Sequence, residues 1–317
     1  MPPKPLSWSS RHAKPLRILL LGGTGFVGRS LIARLARQHH RLLCLTRQRD
    51  QHRDLQTYPT LQLIDADVHA EAVLTEYARD ADVIINLVGI LNQSRQQSFQ
   101  KNHTDLMHTL IRVAKQTGVR RLIALGALGA DVAGPSEYLR SKGRAEQALR
   151  AEPDLAWTIL RPSVIFGPRD NFLNQFAQLL RFTPVLPLAR THTRFAPVYV
   201  DDVAHAIERC LMDGRTVHQR YDLGGPEVFS LKQLIDWVSA HQHLHRYVLS
   251  LPDWLGYLQA LSLEILPNPP MSRDNFASLS IDSVPAQDGF AQLGMTPHPL
   301  SRIVPSYWPA NTRAALG

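Results

Sequence analysis

Nowhere in the 317 residues is there a run of about 18 uncharged apolar residues, so no single helix can cross a bilayer. The nearest approach, 248–266, is interrupted by Pro252, Asp253 and Glu264. Cysteine is almost missing: Cys44 and Cys210 stand far apart and outside any paired metal-ligand spacing. That excludes a disulfide framework and a zinc site, and both are read as buried thiols. No internal repeat or low-complexity block occurs. No acid precedes Asp50, and the start lacks the apolar segment of a signal peptide. Residues 1–15 are expected to form a flexible tail. An acid-free start is compatible with a mitochondrial presequence, although a strand beginning near residue 16 leaves little chain to cleave.

The formal charge is +8, with 44% hydrophobic and 20% charged residues, an ordinary balance for a folded globular protein. A chain of this length is expected to form two lobes. Much of the basic excess lies early, among residues such as Arg29, Arg34, Arg37, Arg41, Arg47 and Arg49. These cations are dispersed and not interleaved with aromatics, so they favour a solvated face over a nucleic-acid surface. RNA binding stays the third and weakest functional reading. A cytoplasmic location is expected, with the periphery of an inner membrane and the mitochondrial matrix both compatible with the composition.

Short apolar runs at 16–21, 42–46, 61–65, 83–87, 122–125 and 158–160 alternate with helical patterns at 26–38, 98–118 and 136–151. This is the pattern of a Rossmann-like, doubly wound parallel sheet with buried strands, an α/β fold. Ser136 is placed to cap the third helix. Beyond residue 161 the alternation weakens: helices are predicted at 170–181, 201–212 and 231–242, strands at 195–200 and 221–223, then an irregular proline-rich tail. The expected organisation is a dinucleotide-binding domain over 16–166 and a smaller C-terminal α/β lobe over 167–317, with 195–225 crossing back.

The strongest motif is Gly22-Gly23-Thr24-Gly25-Phe26-Val27-Gly28, between a strand and a helix. Glycines there permit a tight turn, let the backbone approach a pyrophosphate, and let the helix pack on the sheet. The helix N-terminus offers N–H groups and a positive dipole end to the phosphates. An NAD site carries a carboxylate at the end of the second strand for the ribose 2′-hydroxyl. Here the chain reads Leu45-Thr46-Arg47-Gln48-Arg49. Arg47 can grip a 2′-phosphate by charge-assisted hydrogen bonds, so NADPH is favoured over NADH. The segment 251–266 places Trp254, Tyr257, Leu258, Leu261 and Ile265 along one side of a helix. That stripe either packs onto the C-terminal lobe or docks on a membrane or an apolar partner.

GGTGFVG, the strand-end Thr46-Arg47, Asp67-Val68 and Asn86-Leu87-Val88-Gly89 are followed by YLRSK, TILRPSVIFGPRDNFLNQF, FAPVYVDDVA and YDLGGPEVFSL. In this order the chain, from about Leu16 to Trp308, resembles the atypical short-chain dehydrogenases/reductases. More narrowly it is similar to the NADPH-binding accessory subunits of respiratory complex I, alpha-subcomplex subunit nine, and their bacterial relatives. The resemblance implies that Asp67 and Val68 sit by the adenine, and that Leu87, Val88 and Gly89 line the ribose and pyrophosphate. It implies that Tyr138 and Lys142 are the family's Tyr-x-x-x-Lys pair at the nicotinamide ribose, and that the loop Pro162-Ser163-Val164 meets the nicotinamide amide. In active members the lysine lowers the tyrosine pKa, and a serine or threonine at the end of the fifth strand holds the substrate carbonyl. Here that stretch reads Ala124-Leu125-Gly126-Ala127-Leu128-Gly129, without a hydroxyl. The expected function is therefore NADPH binding with weak or absent catalysis, in a respiratory or quinone-biosynthesis complex. The alternative is an active NADP-dependent oxidoreductase or epimerase-like enzyme on an isoprenoid or lipid-like substrate.

Overall fold

The computed structural model describes residues 15–94, 97–266 and 269–308. The proposed tail falls almost wholly outside them. Seven strands form one sheet, all of whose neighbouring pairs are parallel. They are β1 (Arg17–Leu21), β2 (Arg41–Thr46), β3 (Leu61–Asp65), β4 (Val83–Asn86), β5 (Arg121–Leu125), β6 (Ala156–Pro162) and the strand Gln219–Leu223. Their spatial order is Gln219–Leu223, β6, β5, β4, β1, β2, β3. β1 thus lies between β2 and β4, and the winding direction reverses between β1 and β4. In open parallel sheets that switch point opens a crevice at the carboxyl ends of the strands.

The sheet is apolar on both faces because helices cover both. On one side α1 (Phe26–Arg37) and α6 (Val200–Met212) bury Leu31, Ile32, Leu35, Val203, Ile207 and Leu211 against Ile18, Leu20 and Ile85. On the other, α2 (Glu71–Ala78), α3 (Leu106–Thr117) and α4 (Glu137–Arg150) bury Leu74, Leu110, Ile111 and Leu149 against Leu19, Leu21 and Ile84. Leu19 and Leu20 are neighbours pointing to opposite cores, as strand periodicity requires.

A third apolar cluster joins α5 (Leu173–Phe182), α7 (Leu231–His241), the helix Leu300–Tyr307 and the strand Val185–Ala189. That strand pairs in parallel with Tyr247–Leu251, and α8 (Asp253–Leu263) and α9 (Arg273–Ser278) complete this region.

Local departures from the sequence expectation have physical causes. The helix expected at 170–181 begins at Leu173 because the Asp170 carboxylate accepts from the N–H groups of Leu173 and Asn174, acting as a cap. The strand expected at 195–200 is two short strands, Arg194–Phe195 and Val198–Tyr199, with different partners. Pro197 between them has no N–H for a ladder. The helix expected at 98–118 opens with a π-helical stretch, Gln100–Asp105, before α3. The tail expected to be irregular holds three short helices, Arg273–Ser278, Gly289–Gln292 and Leu300–Tyr307.

Candidate functional site

The crevice is built first by glycines. Gly22 has φ +75°, and a Cβ there would come 2.8 Å from the Leu87 carbonyl carbon, so the glycine turn and the loop after β4 lie backbone against backbone. A Cβ at Gly28 would lie 2.4 Å from the Gly23 carbonyl oxygen. Gly25 differs: its missing side chain meets only the Gly22 oxygen, at 3.2 Å, and otherwise points into open space. Gly25 is also the N-cap of α1, no side chain caps that end, and the first turn holds no acid. A helix N-terminus with no side-chain cap, facing a crevice free of side chains, fits a pyrophosphate, so the cradle suits a dinucleotide. Thr24 accepts a hydrogen bond from Arg29 Nε through its carbonyl, Phe26 lies beside Gly167, and Val27 anchors the turn in the core.

The other sequence-derived residues lie at the ends of neighbouring strands. Arg47 is exposed at the end of β2. With the Gln97 amide oxygen turned toward it, both Arg47 Nη atoms lie within 2.9 Å of that oxygen. Asp67 follows β3, and its carboxylate accepts from the His69 N–H (3.0 Å). Val68 packs on the α2/α3 core. Leu87 and Val88 leave β4 into opposite cores, and the Val88 N–H is held by Asn86 Oδ1. Pro162 ends β6, where its carbonyl accepts from Leu128 N–H, and the Val164 carbonyl accepts from Val198 N–H.

Tyr138 and Lys142 project from one face of α4, one turn apart. The Ser136 hydroxyl caps this helix by accepting from Leu139 N–H (3.1 Å). Asp274, from α9, accepts from the N–H groups of Glu137 and Tyr138 (2.7 and 3.1 Å), so the C-terminal region holds the start of α4. The buried Lys142 ammonium donates to the Leu125 carbonyl at 3.1 Å and stands beside Gly89, where a Cβ would approach it to 3.3 Å. Burial pulls the Lys142 pKa down to about 8, against the attraction of Glu146. Burial, reinforced by Glu146 and Asp274, pushes the Tyr138 phenol up to about 12.

Two further groups, His103 and Glu146, had no recognisable sequence motif. His103 is buried on the π-helical stretch. Its Nε2 accepts from Ile90 N–H (3.2 Å), which leaves Nδ1 to carry the proton and donate to Ser141 Oγ (2.8 Å). Ser141 in turn donates to the Tyr138 carbonyl (2.8 Å). The imidazole lies edge-on to the Tyr138 ring and stacks on Phe99. Burial and the nearby Lys142 cation depress its pKa to about 2, so it stays neutral. Glu146, one turn beyond Lys142, lies 3.6 Å from Arg161 Nε, and burial raises its pKa to about 7. Asn86, His103, Lys142 and Glu146 line a cavity of about 20 Å³, the size of one water. At the end of β5, a Cβ on Gly126 would come 2.4 Å from Glu146 Oε1 and 3.2 Å from Arg161 Cγ. In the hydroxyl-free stretch that ends β5, the Glu146 carboxylate thus lies against Gly126.

A switch-point crevice with a glycine turn and a bare helix N-terminus defines a Rossmann-type nucleotide-binding protein. Residues 22–213 match a family model described as NAD(P)H-binding. Over 301 residues the chain is 33% identical to NADH dehydrogenase [ubiquinone] 1 alpha subcomplex subunit 9, mitochondrial, of Arabidopsis thaliana, covering 89% of this chain and 74% of that one. The mouse protein of the same name is 29% identical over 294 residues, covering 89% and 76%. A ceramide reductase of Caulobacter vibrioides is 30% identical over 190 residues, covering 59% and 58%. Among solved structures, an NADPH-dependent quinone oxidoreductase of Escherichia coli in complex with NADPH superposes with a TM-score of 0.74 at 18% identity, over 91% of this chain and 99% of that one. The chain belongs to the NAD(P)H-binding family, within the group of the complex I alpha-subcomplex subunit nine proteins.

Proposed function

We propose that this chain holds NADPH as a catalytically weak or silent member of its family, in the service of a respiratory or quinone-linked assembly at the periphery of a membrane. The observation that carries the reading is the Gly126–Glu146 contact. Position 126 has no hydroxyl, and a serine there would have its Cβ 2.4 Å from the buried Glu146 carboxylate, which would have to swing aside to admit a substrate clamp. Loss of one such donor costs on the order of a hundredfold or more in rate. Lys142 commits one of its three donors to the Leu125 carbonyl, and the Tyr138 pKa is moved away from the range useful for proton transfer at neutral pH.

When bound, the dinucleotide supplies a hydride at its nicotinamide. The α1 N-terminus and Gly25 would take the pyrophosphate, Arg47 the 2′-phosphate, Asp67 and Val68 the adenine, Leu87 to Gly89 would line the ribose and pyrophosphate, and Tyr138 and Lys142 would hold the nicotinamide ribose. Pro162 and Val164 would border the nicotinamide. The link to an assembly is supported by relatives that are named as complex I subunits.

The alternative, an active reductase of a lipid-like carbonyl, draws support from the likeness to the ceramide reductase. The two readings separate in one set of measurements. Gently purified protein should carry NADPH by mass spectrometry, should not oxidise it with a short-chain ubiquinone or a long-chain ketolipid, and a Tyr138→Phe strain should match the wild type. Turnover that disappears in Tyr138→Phe, with the protein folded and loaded, establishes the enzyme instead.

A further inference from the structure

The helix stripe at 254–265 is not core. α8 buries only its small residues, Gly256 and Ala260. Gly256 packs directly on Ala189, where a Cβ would come 2.2 Å from that side chain, and Gln259 donates to the Pro187 carbonyl. The inward side is thus fully buried only at these small residues, with Leu255, Gln259 and Leu263 half-buried beside them. Trp254 (64% exposed), Tyr257, Leu258, Leu261 and Ile265 (85%) face solvent.

α8 lies over only one end of the ribbon formed by Val185–Ala189 and Tyr247–Leu251. In this ladder Val185 pairs with Tyr247, Pro187 with Leu249 and Ala189 with Leu251. Leu186 and Leu188 point inward to the core. The opposite face is covered by α8 at Ala189, and is bare at Val185, Tyr247 (74% exposed) and Leu249. Phe182, the last residue of α5 and 88% exposed, adjoins it: Arg246 Nε donates to the Leu180 carbonyl and Tyr247 N–H to the Pro184 carbonyl. The bare ribbon and the outer side of α8 thus form one apolar surface, larger than the helix stripe alone. Contiguous exposed apolar area of this kind marks an interaction site.

Charge identifies the occupant. The two acids in these segments are neutralised within the protein, Asp253 by Arg190 and Glu264 by Arg273. Arg181 and Arg246, at the Phe182–Tyr247 end, have no ion-pair partner among the described residues. Two aromatic side chains flanked by unopposed guanidinium groups, with apolar residues extending along the surface, match the boundary between anionic headgroups and acyl chains.

We propose that this composite surface, Phe182, Val185, Tyr247 and Leu249 together with the outer side of α8, docks the protein on an anionic membrane. This makes specific the membrane-peripheral part of the reading above. None of these residues belongs to the dinucleotide site, so nucleotide binding is a separate readout.

The experiment is sedimentation of the full chain with phosphatidylcholine vesicles, with and without phosphatidylglycerol. Binding is expected with the anionic lipid, weakening as salt shortens the Debye length from about 10 Å at 0.1 M to about 3 Å at 1 M. Trp254→Ser with Leu258→Ser, and separately Tyr247→Ser with Leu249→Ser, should each weaken binding by about tenfold or more. Both should retain the wild-type melting temperature and NADPH affinity. Arg181→Gln should reduce the dependence on phosphatidylglycerol. Quenching of wild-type tryptophan fluorescence by brominated lipid, absent in Trp254→Phe, reports insertion without relying on the double variants. Absence of vesicle binding by the wild type overturns the proposal, as does equal binding by both double variants. A large fall in melting temperature for both double variants, or burial of the same residues in a dimer of this chain, also overturns it.

Discussion

Gly25 and Arg47 test the dinucleotide site from its two ends. Gly25 is exposed with ordinary backbone angles, so a valine there costs the fold little but fills the crevice. Gly25→Val should abolish NADPH binding in calorimetry while leaving the melting temperature within a few degrees; normal binding would remove the pyrophosphate assignment. Arg47→Ala should narrow the preference for NADPH over NADH by roughly 10- to 150-fold, the equivalent of one charge-assisted bond of about 1.5–3 kcal/mol. Glu146 makes a third test, through pH. Its folded-state pKa, about 7, lies above its ordinary value of 4.5, because burial disfavours the charged carboxylate. The folded protein therefore binds the proton more tightly than the unfolded chain. Glu146 contributes stability below pH 4.5, and that contribution is lost as pH rises toward 7. Glu146→Gln should thus gain melting temperature relative to wild type on going from pH 5 to pH 8. A difference between the two proteins that does not change with pH would show that Glu146 is already charged at pH 5. Arg47 and the glycines were legible in the sequence because their chemistry is local. His103 and Glu146 were not, since only the packing of the π-helical stretch, α4 and β5 gives them partners.

At the level of elements, α4 connects the two parts of the site. Its N-terminus is capped by Ser136 from its own chain segment and by Asp274 from a residue 136 positions beyond Tyr138. The Ser136 cap could be read from the sequence, whereas the Asp274 cap required the tertiary fold. Asp274→Ala should cost about 1 kcal/mol, the usual value of an N-cap, visible as a lower urea midpoint with an unchanged slope. Because the lost carboxylate also faces Tyr138, the variant should lower the tyrosine pKa, measurable by its ultraviolet titration. An unaltered midpoint would mean that Ser136 alone satisfies the helix end. The strand expected at 195–200 split because Pro197 removes a donor, which is a local cause. The π-helical opening of 98–118 had no such signal, since Gln100 to Asp105 carry no helix breaker.

For the whole molecule, a nucleotide that bridges the strand ends should stabilise the fold by mass action. At a hundred times its Kd, NADPH should add about 2.7 kcal/mol. The rise in melting temperature should exceed that given by NADH at equal concentration; equal shifts would reverse the cofactor preference. The sequence by itself determined the parallel α/β sheet, the glycine crevice and the basic strand end, because each rests on residues adjacent in the chain: apolar runs buried on both faces, a turn that only glycine permits, and an arginine where NAD sites carry an acid. The tertiary structure alone decided the remainder. It chose β6 as the partner of the strand Gln219–Leu223, within a segment already expected to cross back, set a carboxylate from α4 against Gly126, and turned Trp254, Tyr257, Leu258 and Leu261 of α8 outward. In each case the deciding contact joins residues between 20 and about 70 positions apart. Side-chain periodicity shows that a face is apolar, but which neighbour covers it depends on where the chain returns.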